Sequence, residues 1–126
     1  MSLFGNLFGG MLRQLYTFGS LRNTEDGFEF GIKNRLSSGQ LTGIIGLKID
    51  GEPIPLENIT LILDDGRILQ ASDITEENAI PFPSGKEVTV RVKHAPLAPG
   101  KHEIGIALKS QPFGDLKFKV EDTLEA

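Results

Sequence analysis

The sequence contains no cysteine and no tryptophan, a single tyrosine and only two histidines among its 126 residues. Without cysteine the chain has neither disulfide bonds nor thiolate chemistry, which fits a reducing compartment. Sugar-binding modules rely on aromatic platforms, and a chain with 7% aromatic residues offers few side chains for one. We therefore expect a cytoplasmic protein, and thiol catalysis is excluded.

Long apolar runs and a basic balance are also missing. No stretch approaches the roughly 18 consecutive apolar residues of a membrane span, and the N-terminus lacks the charged start and cleavage site of a signal peptide. The net charge of −4 does not suit a protein that binds a phosphate backbone. We expect no membrane and no nucleic acid as partner, and one domain with a two-layer core.

Most of the chain after Gly27 consists of short segments in which apolar and polar residues alternate. The clearest one places Val88, Val90 and Val92 on one face and charged or hydroxyl side chains on the other. This period of two is typical of a strand with one face in water. The pattern recurs at residues 28–32, 45–49, 59–63, 104–108 and 116–120.

Turn residues separate these segments. Asp65-Gly66 predicts a hairpin, and Asp50-Gly51 and Phe113-Gly114 mark further turns. Pro99-Gly100 predicts a turn that joins the strand at Val88 to the strand at Ile104, and residues 72–77 predict one helical turn. About seven strands at this spacing favour an all-β fold, an antiparallel immunoglobulin-like β-sandwich.

The first part of the chain differs from the rest, and we divide the sequence into an apolar N-terminal docking segment, 1–18, and a β-sandwich domain, 19–126. Glycines interrupt the segment, so it forms either a short helix or an extended arm. It packs on a partner chain, caps one end of the sandwich, or frays; its apolar area favours the partner. Its large apolar residues are Phe4, Leu7, Phe8, Met11, Leu12, Leu15, Tyr16 and Phe18.

Catalytic constellations are hard to find in the sequence. His94 and His102 flank the predicted Pro99-Gly100 turn, but the expected register separates them and leaves a two-histidine metal site as a minor alternative. Asp64 and Asp65 are adjacent turn residues that point apart, unlike the paired carboxylates of a glycosidase. We predict no catalytic and no metal-binding residue in this chain, and an inactive isolated subunit.

An ordered series of short motifs resembles the small β-subunit of bacterial C-glycoside deglycosidases over roughly residues 13–122. The series includes the runs at 15–23, 27–30, 33–36, 41–43, 47–51, 54–55, 81–83, 99–103 and 114–116. The resemblance implies a β-sandwich bound to a TIM-barrel α-subunit similar to sugar-phosphate isomerases and epimerases. That subunit would hold a divalent, manganese-like metal and the catalytic residues.

The resemblance also implies an activity. The complex would be a carbon–carbon lyase that cleaves the C-glycosidic bond of a flavonoid-type 3-oxo C-glycoside, with the metal stabilising an enediolate. This chain would be its accessory subunit. The alternative is a free-standing immunoglobulin-like interaction or carbohydrate-binding domain without catalysis.

The resemblance implies that this chain contacts the α-subunit and contributes no catalytic residue. The expected partner-interface residues are Leu15, Tyr16, Phe18, Arg22, Pro81, Phe82 and Pro83. Arg22 would anchor the junction by charge-assisted hydrogen bonds. Additional docking is expected from Phe4, Leu7, Phe8, Met11 and Leu12.

Overall fold

The alternating segments form two antiparallel sheets that pack face to face in the computed structural model, which describes residues 10–125. The strands are β1 (Arg22–Asn23), β2 (Gly27–Lys33), β3 (Gly39–Ile49), β4 (Glu52–Pro53), β5 (Ile59–Leu63), β6 (Ile68–Gln70), β7 (Ile80–Phe82), β8 (Glu87–Lys93), β9 (Gly100–Gln111) and β10 (Gly114–Leu124). The predicted all-β sandwich is confirmed, with ten strands in residues 10–125 where about seven were expected.

The first sheet has the order β1-β2-β8-β5-β6, and the second has the order β10-β9-β3-β4 with β7 beside the start of β3. Apart from Ile45 in β3, which is 38% exposed at a register shift between β3 and β9, the apolar side of each alternating segment faces the other sheet. Phe28 and Phe30 of β2 and Ile104 of β9 belong to the same core, and each is at most 1% exposed. A period of two therefore placed the core side chains of β2, β5, β8, β9 and β10 correctly, but it placed Ile45 of β3 wrongly in the core.

The helical content is small. The predicted N-terminal helix is present as a short helical segment that ends in a 3-10 helix, Arg13–Leu15. Two further 3-10 helices are Leu56–Asn58 and Ala71–Asp73. The last of these begins one residue before the helical turn predicted over residues 72–77 and overlaps it only at residues 72 and 73. No helix within residues 10–125 is long and apolar enough to cross a membrane.

Three of the four predicted turns join paired strands. Asp65-Gly66 connects β5 to β6, Asp50-Gly51 connects β3 to β4, and Phe113-Gly114 connects β9 to β10. Asp50 adopts a positive φ of 52°, a value that Asp tolerates better than most residues. These turns define the two ends of the sandwich, with Phe113 at one end and Asp50 at the other.

The prediction of a hairpin at Pro99-Gly100 is wrong, because the two strands do not pair with each other. The strands before and after it, β8 and β9, belong to different sheets. The connection crosses the end of the sandwich because Leu97 is buried there. The Asn23 side chain donates to the Leu97 carbonyl at 3.0 Å and accepts from its N–H at 2.9 Å, which fastens the crossing.

Candidate functional site

An apolar cleft opens at the end of the sandwich that carries Phe113. Its volume is about 520 Å³, within the range of roughly 300–1,000 Å³ typical of ligand sites. Leu15, Leu41 and Phe82 form a buried floor. The walls come from the N-terminal segment, the loop after β2 and the β9–β10 turn, through Met11, Leu12, Leu36, Ser37, Phe113 and Leu116.

Two large apolar side chains remain in water at the rim of this cleft. Met11 is 47% exposed and Phe113 is 51% exposed. Apolar surface in water is unfavourable by roughly 25 cal/mol per Å², and a cleft lined this way gains free energy when an apolar group covers it. Asp115 also lines the cleft, but most of the lining surface is apolar, so the cleft is suited to binding apolar side chains.

The loop after β2 is held in place by one buried side chain. Asn34 Nδ2 donates to the carbonyl oxygens of Phe82 at 2.7 Å and Ser37 at 3.0 Å, and Oδ1 accepts from the Leu36 N–H at 3.0 Å. All three contacts of the amide are made to backbone groups, so the loop has one defined conformation beside β7. Asn34 thereby positions Leu36 at the cleft wall.

The β9–β10 turn is fixed in a similar way. Ser110 Oγ donates to the Gly114 carbonyl at 2.8 Å across the turn. The ring of Phe113 lies against Gly39, where a Cβ atom would approach its Cε2 atom to 3.2 Å and the Gln111 carbonyl oxygen to 2.7 Å. Gly39 is thus the residue that allows the aromatic ring to sit at the rim.

The N-terminal segment reaches the cleft because Tyr16 and Asp122 fasten it between the two sheets. Asp122 accepts from the Tyr16 hydroxyl at 2.7 Å and from the N–H groups of Gly19 at 3.0 Å and Leu21 at 3.2 Å. Tyr16 also pairs with Ile32 of β2 through an isolated bridge. The segment therefore closes the open side between β2 and β10.

The surroundings of Tyr16 and Asp122 shift the pKa values of both side chains. Burial and the neighbouring Asp122 carboxylate raise the pKa of Tyr16. Burial alone would raise the pKa of Asp122, but the hydrogen bonds from Tyr16, Gly19 and Leu21 outweigh it and lower the pKa below its ordinary value. The pair is a neutral phenol that donates to a carboxylate, which is a structural arrangement.

Polar groups dominate the opposite end of the sandwich. His102 Nδ1 lies 2.6 Å from Asp50 Oδ2, and His102 Nε2 lies 2.7 Å from the Ala98 carbonyl oxygen. His94 Nε2 lies 3.3 Å from Glu52 Oε2. Within residues 10–125 no group of three potential metal ligands comes together. The carboxylate neighbours of the two histidines are Asp50 in the β3–β4 turn and Glu52 at the start of β4. The turn was predicted from the sequence, but these two contacts were not.

The predicted partner-interface residues are not all at the surface. Leu15, Tyr16 and Phe82 are buried by this chain itself, at 2%, 1% and 5% exposure. Phe18 and Arg22 lie in water, as do Pro81 and Pro83. Contact with a partner stays a prediction for these residues, and the exposed ones are available for it.

Of the predicted additional docking residues, the structure describes only Met11 and Leu12. Met11 and Leu12 line the cleft, whereas Phe4, Leu7 and Phe8 lie outside the described residues. Leu36 was not predicted as a site residue, and Phe113 was expected only in a turn. A bulky aromatic residue at the tip of a hairpin was an available signal, because turn tips are otherwise polar.

A family model described as hydroxymethylglutaryl-CoA reductase, N-terminal domain, matches residues 11–125. The match includes every residue between 10 and 125 that lines the cleft, from Met11 to Leu116. No curated protein matches the chain.

This match overturns the resemblance to the C-glycoside deglycosidase β-subunit, since it is to a different family. The predicted function, a lyase subunit acting on C-glycosides, is wrong with it. Short motifs of turn residues and strand alternation recur in many sandwiches, so an ordered series of them did not identify one family. The barrel partner and its divalent metal rested on that resemblance and stay predictions without other support.

Proposed function

This chain belongs to the family of the hydroxymethylglutaryl-CoA reductase N-terminal domain, and on that premise we propose that it is a non-catalytic domain that binds the catalytic polypeptide of such a reductase. The single observation that carries the proposal is the apolar cleft with Met11 and Phe113 exposed at its rim. The proposed occupant is an apolar segment of that catalytic polypeptide.

The roles of the chain's polar clusters support a non-catalytic domain. Asp122 holds the N-terminal segment, and Asp50 holds His102 and the N–H of Glu103 at 2.8 Å. Each of these groups forms its hydrogen bonds with other parts of the domain and so stabilises the fold. A catalytic acid or base instead points toward a site where a substrate atom can lie.

The geometry of the rim supports a polypeptide as the occupant. Met11 and Phe113 stand on different elements, and the floor between them is apolar. An apolar side chain from a partner would bury the floor and both rim residues together, as the anchor residues of protein interfaces do. Methionine adapts its shape to such a side chain. We place this association in the cytoplasm, as expected from the lack of cysteine.

Binding between the purified chain and the reductase's catalytic polypeptide tests the proposal. Phe113→Asp places a charge at the rim, and we expect it to weaken association at least about tenfold, because a buried unpaired charge is costly. Ile68→Asp is the matched control, since Ile68 is 66% exposed on edge strand β6 and does not line the cleft. Sedimentation velocity measures both variants, and their melting temperatures confirm that they fold.

Either of two results contradicts the proposal. The first is a wild-type chain that stays monomeric beside the catalytic polypeptide at micromolar concentration. The second is a Phe113→Asp variant that binds as tightly as the Ile68→Asp control.

A further inference from the structure

One carboxylate lies almost buried on the outer face of the first sheet. Strand pairing places Arg22 of β1 opposite Glu29 of β2, and Glu29 opposite Arg91 of β8. The alternation that turns Phe28 and Phe30 into the core turns Glu29 outward. Three charged side chains therefore stand in one row across three neighbouring strands.

The two arginines enclose the carboxylate from both sides. Glu29 Oε2 accepts from Arg22 Nε at 2.7 Å, and Glu29 Oε1 accepts from Arg91 Nε at 3.0 Å and Nη2 at 2.8 Å. The Glu29 side chain is 6% exposed, whereas those of Arg22 and Arg91 are 71% and 48% exposed. The carboxylate is covered, and the guanidinium groups face water.

This arrangement fixes the direction of each guanidinium group. Both arginines use Nε and Nη2 for Glu29. The Nη1 atoms of both take part in no hydrogen bond within residues 10–125. Two guanidinium groups against one carboxylate leave one positive charge, and Lys93 lies on the same face two residues from Arg91. The outward donors are therefore oriented, and the cluster of the three side chains keeps a net positive charge.

We propose that the Nη1 edges of Arg22 and Arg91, held in place by Glu29, bind an oxyanion, the phosphate or carboxylate group of a small ligand. Each Nη1 group can donate a charge-assisted hydrogen bond to an oxygen of such a group. Orientation by a buried partner lowers the entropy cost of forming those hydrogen bonds. The site lies on a sheet face rather than in the cleft, so it is independent of the proposed association with a reductase.

Nuclear magnetic resonance of the Arg Nε–Hε groups tests the site directly in the intact chain. Inorganic pyrophosphate and glutarate are the two probes, which separate a phosphate ligand from a carboxylate ligand. We expect saturable shifts of the Arg22 and Arg91 signals with at least one probe. Sodium chloride at matched ionic strength is the reference. No saturation with either probe, or the same shifts in sodium chloride, overturns the proposal.

Three variants distinguish specific binding at the oriented arginines from nonspecific electrostatic attraction of the anion to a positive surface. Arg91→Gln is expected to weaken binding about tenfold or more, because charge-assisted hydrogen bonds are lost. Lys93→Gln removes the same charge from the same strand without touching Glu29, and we expect at most about a twofold loss. Equal losses in these two variants overturn the proposal.

Glu29→Gln gives the clearest result, because specific binding at oriented arginines and nonspecific attraction predict opposite changes in affinity for the anion. The variant makes the face more positive by one charge, so attraction alone predicts tighter binding. Loss of the carboxylate that orients both arginines predicts binding weakened severalfold, provided that the melting curve shows a folded protein. Tighter binding to the folded variant overturns the role assigned to Glu29.

Discussion

The two ends of the sandwich carry opposite kinds of side chain. The end at Phe113 opens into an apolar cleft whose rim stays in water. At the other end, Asp50, His102 and Ala98 satisfy one another through short hydrogen bonds. A surface whose groups are paired within the chain gains little from a partner, whereas exposed apolar area gains by being covered. The comparison assigns binding to the first end and rigidity to the second.

The largest expected effect separates the floor of the cleft from its rim. Phe82→Ala removes a buried ring, and we expect the free energy of unfolding to fall by about 3–5 kcal/mol. Phe113→Ala removes a half-exposed ring and is expected to change stability by less than about 0.5 kcal/mol. Urea unfolding measures both. Similar losses would mean that Phe113 belongs to the core and does not form a docking rim.

A smaller effect is expected at the contact that holds the N-terminal segment in place beside the cleft. Tyr16→Phe removes the donor to the buried Asp122 carboxylate and keeps the ring. A hydrogen bond to a charged group contributes about 1.5–3 kcal/mol, and we expect a loss of that size in urea unfolding. Phe18→Leu, on the exposed ring beside it, is the control. An unchanged stability in Tyr16→Phe would contradict the assigned role of the contact.

The smallest effect concerns the polar end and depends on pH. Hydrogen bonding to the Ala98 carbonyl and to Asp50 raises the pKa of His102, so its contribution to stability is lost as the pH rises through that value. Hydrogen bonds from the Glu103 N–H and His102 lower the pKa of Asp50, so its contribution is lost as the pH falls through that value. The contact is strongest between the unfolded-state pKa values, about pH 4 to 6.5.

His102→Gln tests this window. The wild-type melting temperature is expected to fall between about pH 6 and pH 9 by more than that of the variant, since only the wild type loses the imidazolium at position 102. His94→Gln is the matched control at the same end, beside Glu52 rather than Asp50. Parallel pH profiles for wild type and His102→Gln would contradict the structural role of His102.

Much of the fold followed from local patterns. Alternation identified the core faces of β2, β5, β8, β9 and β10, because a strand with one wet face has no other way to bury its apolar residues. Asp65-Gly66 and Asp50-Gly51 marked turns because few residues accept positive φ. The Pro99-Gly100 prediction failed because the same dipeptide suits a hairpin or a crossing, and burial of Leu97 selected the crossing.

The candidate site was only partly predictable. The apolar character of Met11 and Leu12 was visible in the sequence, and the structure places both at the cleft. In the sequence pattern, Leu15 and Tyr16 cannot be distinguished from Met11 and Leu12. In the structure, however, Leu15 and Tyr16 are buried by the chain itself. The difference arises from Asp122, which is more than 100 residues away and pulls Tyr16 inward through its hydroxyl group. Such a contact leaves no local trace.

The sequence by itself determined an all-β chain with few chemically reactive side chains, because alternation, turn residues and composition act over a few neighbouring positions. The tertiary structure alone decided which apolar residues stay exposed, which carboxylate faces which histidine and how Glu29 lies between Arg22 and Arg91. Those outcomes depend on strand order and register, which join residues distant along the chain.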